Sequence, residues 1–146
     1  MEIERKYLIN KMPDNIDSYP CHYIEQAYLT REPVVRVRKQ DDEYYMTYKS
    51  KGLMVREEAN LPLTREAYET LKNKAEGIVI KKKRVLIPYN CHLIELDIFD
   101  EPIAPLVMAE VEFDTVEEAE DFVPPEWFAK EVTNDPEYHN SNMSQK

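Results

Sequence analysis

Glu2, Glu4 and Lys6 stand on alternate positions of the run Met1-Glu2-Ile3-Glu4-Arg5-Lys6-Tyr7-Leu8-Ile9. A strand turns alternate side chains to one face, so these three share a face, and Ile3, Arg5, Tyr7 and Ile9 share the other. Same-face neighbours lie about 6.6 Å apart. Two carboxylates held that close disfavour each other's ionisation, and such a pair is able to share a divalent metal. A solvated edge strand would carry the same residues, so one strand decides nothing. What decides is recurrence.

The pattern does recur. Glu58, Glu95, Asp97, Glu110 and Glu112 continue the acidic set, and Lys6, Arg36, Arg38, Lys49, Arg56, Lys82 and Arg84 make a basic set of equal size. Signs are segregated by strand: Glu-Ile-Glu, Glu-Leu-Asp and Glu-Val-Glu against Arg-Val-Arg and Lys-Lys-Arg. The exposed side of an ordinary antiparallel sheet would mix signs and include Ser, Thr and Gln. Like charges along one face need counter-charges nearby. A closed barrel with its charged faces inward supplies them in part; metal ions for the acids and a polyanion for the bases supply the rest. Arg suits bidentate phosphate contacts and Lys point-charge ones. Carboxylates suit hard cations such as Mg²⁺ or Mn²⁺.

These residues need strands to position them. Alternation predicts strands over 1–9, 22–30, 34–39, 43–49, 53–63, 78–87, 91–99 and 106–113. Thr64 to Ala75 predicts a helix capped by Thr64, with Ala67, Leu71 and Ala75 as its buried stripe and Tyr68 alongside. Thr115-Val116-Glu117-Glu118 matches a capping box opening a short helix to about Phe122. Trp127 and Phe128 anchor the C-terminal segment. Residues 133–146, rich in Asn and Ser, predict a partly mobile tail with His139 solvated.

The chain has 146 residues and a net charge of −10, which suits one domain over 1–146 and argues against a nucleic-acid surface. With 2 glycines it can hold no Gly-rich phosphate loop. No apolar run is long enough for a membrane span. With 2 cysteines and no signal-peptide core, the expected location is cytoplasmic. Cys21-His22 and Cys91-His92 make an awkward zinc site, because adjacent strand residues point to opposite faces.

Glu2-x-Glu4-x-Lys6 resembles the ExExK signature of the CYTH superfamily, the triphosphate tunnel metalloenzymes. The likeness continues in order through Gln26-Ala27-Tyr28-Leu29, Arg36-Val37-Arg38, Thr47-Tyr48-Lys49-Ser50, Arg56-Glu57-Glu58, Lys82-Lys83-Arg84, Glu95-Leu96-Asp97 and Glu110-Val111-Glu112-Phe113, to Trp127-Phe128 and Glu131-Val132-Thr133. One departure is Asn60, where many relatives carry another acid. The resemblance implies an α+β, mainly β fold: a closed antiparallel barrel of about eight strands forming a tunnel, with a polar charged lumen and a few flanking helices. It implies metal-dependent hydrolysis of a small-molecule triphosphate, as in short bacterial inorganic triphosphatases. Class IV adenylate cyclase, thiamine triphosphatase and a non-catalytic polyphosphate-binding module are the alternatives.

On that resemblance, Lys6, Arg36, Arg38, Lys49, Arg56, Lys82 and Arg84 hold the triphosphate. Glu2, Glu4, Asp97, Glu110 and Glu112 bind one or two Mg²⁺ or Mn²⁺. Tyr28, Glu95 and Lys6 are the expected catalytic residues. Glu95 either orients and deprotonates water or ligates metal. Tyr28 acts as a base only if nearby cations lower its pKa; otherwise it donates a hydrogen bond or packs.

Overall fold

The structure, a computed structural model, describes residues 1–52 and 54–145. The described residues form ten strands and three short α-helices: β1 (Glu2–Ile9), β2 (Cys21–Arg31), β3 (Val34–Gln40), β4 (Glu43–Lys49), β5 (Val55–Arg56), β6 (Glu58–Pro62), α1 (Arg65–Asn73), β7 (Glu76–Tyr89), β8 (His92–Phe99), β9 (Val107–Glu112), α2 (Val116–Asp121), β10 (Phe128–Glu131) and α3 (Asn140–Met143). The strands form one sheet in the order β10-β1-β9-β8-β7-β2-β3-β4-β6. All pairings are antiparallel. The hairpin turns place Asp41 and Asn90 at φ 53°, a left-handed conformation that Asp and Asn tolerate better than other side-chain-bearing residues.

The sheet closes on itself where the sequence predicts one strand over 53–63. Leu53 lies outside the described residues. The remainder breaks at Glu57, because its two halves pair with different neighbours. Val55 and Arg56 lie against Ile3 and Glu2 of β1, whereas Glu58–Pro62 runs along β4. Ser50 pins the corner: its backbone N–H donates to the Glu57 carbonyl (3.0 Å), and its Oγ accepts from the Glu57 N–H (2.8 Å). The barrel is thus nearly closed, as expected, with β10 added outside β1.

The hydrophobic cover lies outside the barrel. Outward residues of β1, β7, β8 and β9, including Tyr7, Val85, Ile94, Leu96 and Val111, pack under Ala119 of α2, Phe122 just after that helix and Phe128 of β10. Phe122 meets the rings of Tyr7, Tyr89, His92, Phe113 and Phe128 at 5.3–6.3 Å. On the opposite side α1 covers Ala27 and Val37. Its cap is as the sequence predicts, with Thr64 Oγ1 accepting from Ala67 N–H at 3.1 Å. The anchor of α1 is Tyr68, fully buried, while Ala67, Leu71 and Ala75 are only partly covered. Tyr68 wins because its ring reaches Tyr44 and its hydroxyl donates to Glu25 Oε1 at 2.7 Å.

Two features depart from the sequence reading. The first is β10, which pairs Glu131 with Tyr7; Arg5 on β1 grips both Glu131 oxygens at 2.6 and 2.8 Å. The second is the tail. His139, Asn140, Ser141, Met143 and Ser144 are buried, and the Ser144 carbonyl accepts from Ile78 N–H at 2.6 Å. Gly77, at φ +76°, permits that approach, since a Cβ there would overlap the Ser144 carbonyl. Met143 joins Tyr28, Ile80, Phe99 and Met108, which line one end of the barrel on its inward faces. Among the described residues no helix is long and apolar enough to cross a membrane.

Because the outer cover carries the apolar burial, Phe122→Ala should cost about 3 kcal/mol of unfolding free energy. Urea denaturation followed by circular dichroism checks this; a loss below ~1 kcal/mol would mean the α2 cover is dispensable.

Candidate active site

Eight strands carry the charged residues into one cavity of about 220 Å³. Its walls hold Lys6, Arg36, Arg38, Lys49, Arg56, Lys82 and Arg84, and the acids Glu2, Glu4, Glu58, Glu95, Glu110 and Glu112. Of the expected site residues, only Asp97 is absent from the wall; it sits fully buried behind it.

Register explains the contacts. Arg84 lies opposite Asp97, Gln26 opposite Arg38, Lys49 opposite Glu58 and Glu2 opposite Arg56. Asp97 accepts from Arg84 Nε (2.7 Å) and Nη2 (2.9 Å), and Lys82 Nζ lies 2.7 Å from its Oδ2. Against the cost of burial, these two cations hold the Asp97 carboxyl below its ordinary value. Burial lowers Lys82, and Asp97 does not fully offset it because Arg84 and Arg38 stand near.

Arg84 also reaches Glu95 (3.4 Å) and Glu110 (3.5 Å). Lys6 Nζ sits 3.7 Å from both Glu4 and Glu110; burial works to lower its pKa, but these carboxylates outweigh it and leave it raised. Glu2 takes Lys49 at 2.8 Å and Arg56 at 3.3 Å.

Two cations stand apart. Among the described residues neither Arg36 nor Arg38 forms an ion pair. Arg36 Nη2 donates to Thr47 Oγ1 at 3.3 Å, and its Nε has no partner. Arg38 gives Nε and Nη2 to the single oxygen of Gln26, at 2.9 and 2.7 Å. Burial, Arg36 and Arg84 push its pKa down to about 9, so it remains a cation at neutral pH. Arg56 Nε is likewise a buried donor without an acceptor.

The acids are surplus on the other side. Glu4 lies directly opposite Glu112, and ligand oxygens of Glu2, Glu4 and Glu112 all fall within 4.8 Å of one another. Desolvation, then Glu95, Glu2, Glu4 and Glu58, push Glu112 up to about 7. Four other carboxylates stand near Glu112, and among the described residues no cation pairs with it. Three hard oxygen donors there fit a divalent cation.

Asp97 and Glu110, expected as metal ligands, are not brought into that cluster. Both Asp97 oxygens are engaged by Arg84 and Lys82, and Glu110 lies between Lys6 and Arg84. Glu95 lines the wall beside Arg84, raised chiefly by burial, with Glu110 and Asp97 adding to it against Arg84. The Tyr28 hydroxyl accepts from Gln26 Nε2 at 3.3 Å. Asn60 accepts from Thr47 and donates to Glu58.

Sequence reasoning gave Gln26 no role although it opens the Gln26-Ala27-Tyr28-Leu29 likeness, placed His139 in solvent and missed Asn140. Alternation would have placed Gln26 on the inward face with Tyr28. No local signal marks His139 or Asn140, because a polar tail looks solvated until the barrel mouth receives it.

A barrel with an ionic interior and apolar outer faces is the architecture of the triphosphate tunnel metalloenzymes. Over 98% of its length the chain is 37% identical to an inorganic triphosphatase of Nitrosomonas europaea, 96% of which is covered. It is 34% identical to one of Acetivibrio thermocellus, over 97% of this chain and 92% of the relative. A crystal structure of an inorganic triphosphatase superposes with a TM-score of 0.74 at 34% identity, covering 100% of this chain and 95% of that one. No protein-family model matches. The chain belongs to the inorganic triphosphatases of the CYTH superfamily.

Asp97→Asn leaves two buried cations short of a counter-charge and should cost roughly 3 kcal/mol at pH 7. A depressed carboxyl stabilises above its unfolded pKa of about 3.9, and that contribution disappears as pH falls through the folded value. The gap between variant and wild type should therefore narrow below about pH 4, as urea titrations at pH 7 and pH 3 will read.

Proposed function

We propose that this chain hydrolyses inorganic triphosphate to pyrophosphate and orthophosphate with a divalent cation, Mg²⁺ or Mn²⁺, held by Glu2, Glu4 and Glu112. The observation that carries the proposal is the pair of enclosed guanidiniums, Arg36 and Arg38, facing the cavity without an acid. A buried donor without an acceptor costs about 1–3 kcal/mol, so the protein alone leaves a demand for anionic oxygen. A metal-chelated polyphosphate answers that demand and the surplus of acid opposite it together.

Cavity size favours an inorganic substrate. At about 220 Å³ it is below the ~300–1,000 Å³ of pockets for drug-sized organic ligands. Tyr28 and Val34 are the only wall residues among those described with a substantial aromatic or aliphatic body, apart from His139. A base or thiazole ring would find little to stack on.

In the reaction, a water oxygen bonds to a terminal phosphorus, the bridging P–O bond breaks, and its electron pair leaves with pyrophosphate. Arg36, Arg38, Lys49, Arg56, Lys82 and Arg84 orient the phosphates and offset the charge that builds on the leaving oxygen. Lys6, between Glu4 and Glu110, bridges the acidic and basic sides. Glu95, whose carboxyl is raised, orients the water and takes its proton. Tyr28 donates a hydrogen bond at the inner end of the cavity. A bound cation would neutralise phosphate oxygens and acidify water.

Purified protein with Mg²⁺ or Mn²⁺ should release orthophosphate from tripolyphosphate, faster than from ATP or thiamine triphosphate, and chelator should abolish release. Cyclic AMP from ATP would make it a cyclase; binding without product would make it a module. Glu4→Gln and Arg38→Ala should each lower turnover roughly 100-fold or more with unchanged circular dichroism. Near-normal turnover in both would defeat the assignment.

A further inference from the structure

Gln26 is fully buried, does not line the cavity, and takes no direct part in the proposed reaction. Yet every polar atom of its amide is engaged. Its oxygen accepts from Nε and Nη2 of Arg38; its nitrogen donates to the Tyr28 hydroxyl at 3.3 Å and to Asn140 Oδ1 at 3.1 Å. Asn140 Oδ1 also accepts from Lys82 Nζ at 3.0 Å. The amide orientation is fixed by this network, since its oxygen meets only donors and its nitrogen only acceptors.

The barrel contains its own control. Arg84 and Asp97 face each other across β7 and β8, as Arg38 and Gln26 do across β3 and β2. Both arginines present Nε and Nη2 to the side chain opposite. One pair is an ion pair and the other is not. Cross-strand geometry therefore accommodates an acid opposite an inward arginine, and position 26 carries the uncharged analogue. An amide aims the guanidinium while leaving its charge uncompensated; a carboxylate would aim it and cancel it.

Resting on the triphosphatase reading, we propose that Gln26 is a positioning residue that holds Arg38 toward the cavity as an uncompensated cation and, through Asn140 of the tail, ties Lys82 into the same frame. Its neutrality is the functional property. Substrate phosphate then supplies the counter-charge that a protein acid would otherwise have taken.

The test is Gln26→Glu, a near-isosteric change, assayed on tripolyphosphate beside wild type. A merely structural role predicts a firmer hold on Arg38 and unchanged kinetics. The proposal predicts KM raised at least about tenfold and kcat within roughly threefold in a protein whose circular dichroism stays that of wild type. KM within about twofold of wild type in a folded Gln26→Glu protein overturns it. Should that protein not fold, Gln26→Met keeps the volume without an acceptor and should lose at least about tenfold in kcat/KM; a Met variant equal to wild type overturns the proposal as well. Wild type that releases no orthophosphate refutes the triphosphatase reading, whereas an active wild type matched by the variant refutes the role of Gln26.

Discussion

Charge enclosed in a narrow protein lumen must be compensated within a few ångströms, and this constraint organises the molecule. Moving one ion from water into a low-dielectric interior costs several kcal/mol even after relaxation. The barrel meets that cost by facing acidic arcs on β1, β8 and β9 with basic arcs on β3, β4 and β7, so that Asp97, Glu2 and Glu110 each contact two cations. With its lumen given over to ions, the sheet turns apolar side chains outward. That inversion requires external cover, supplied by α1 on one side and by α2 with β10 on the other.

Ion pairing is dense around Asp97, Glu2 and Glu110 and, among the described residues, absent at the guanidiniums of β3. Arg36 and Arg38 lack acids, while Glu112 stands among acids and is pushed up to about 7. These two deficits have opposite sign and lie across one cavity, which suits a ligand carrying both a cation and a polyanion. The net charge of −10 opposes the approach of a bare polyphosphate, so attraction must come from the local field of the lumen.

The tail belongs to this electrostatic design. Asn140 and His139 reach the cavity wall, and Met143 sits with the apolar residues at the inner end. The backbone of 144 is anchored beside Gly77, where any side chain would block it. A segment with the composition of a solvated terminus thus completes the enclosure that makes the lumen's charges strong.

What the amino-acid sequence determined by itself was periodic. Period-two alternation set β1, β3, β4, β8 and β9 nearly to the residue, and the same-sign pairs Glu2/Glu4, Arg36/Arg38 and Glu110/Glu112 placed both their faces and the need for an enclosed site. Capping chemistry at Thr64 and Thr115 set the helix starts. Tertiary structure decided what depends on partners distant in the chain. The break at Glu57 arises from pairing two strands at once, and β10 from the grip of Arg5 on Glu131. Which acids remain for a cation and which are consumed by Arg84 and Lys82 depends on cross-strand register. Alternation says which face a side chain takes; only closure of the barrel says what it meets there.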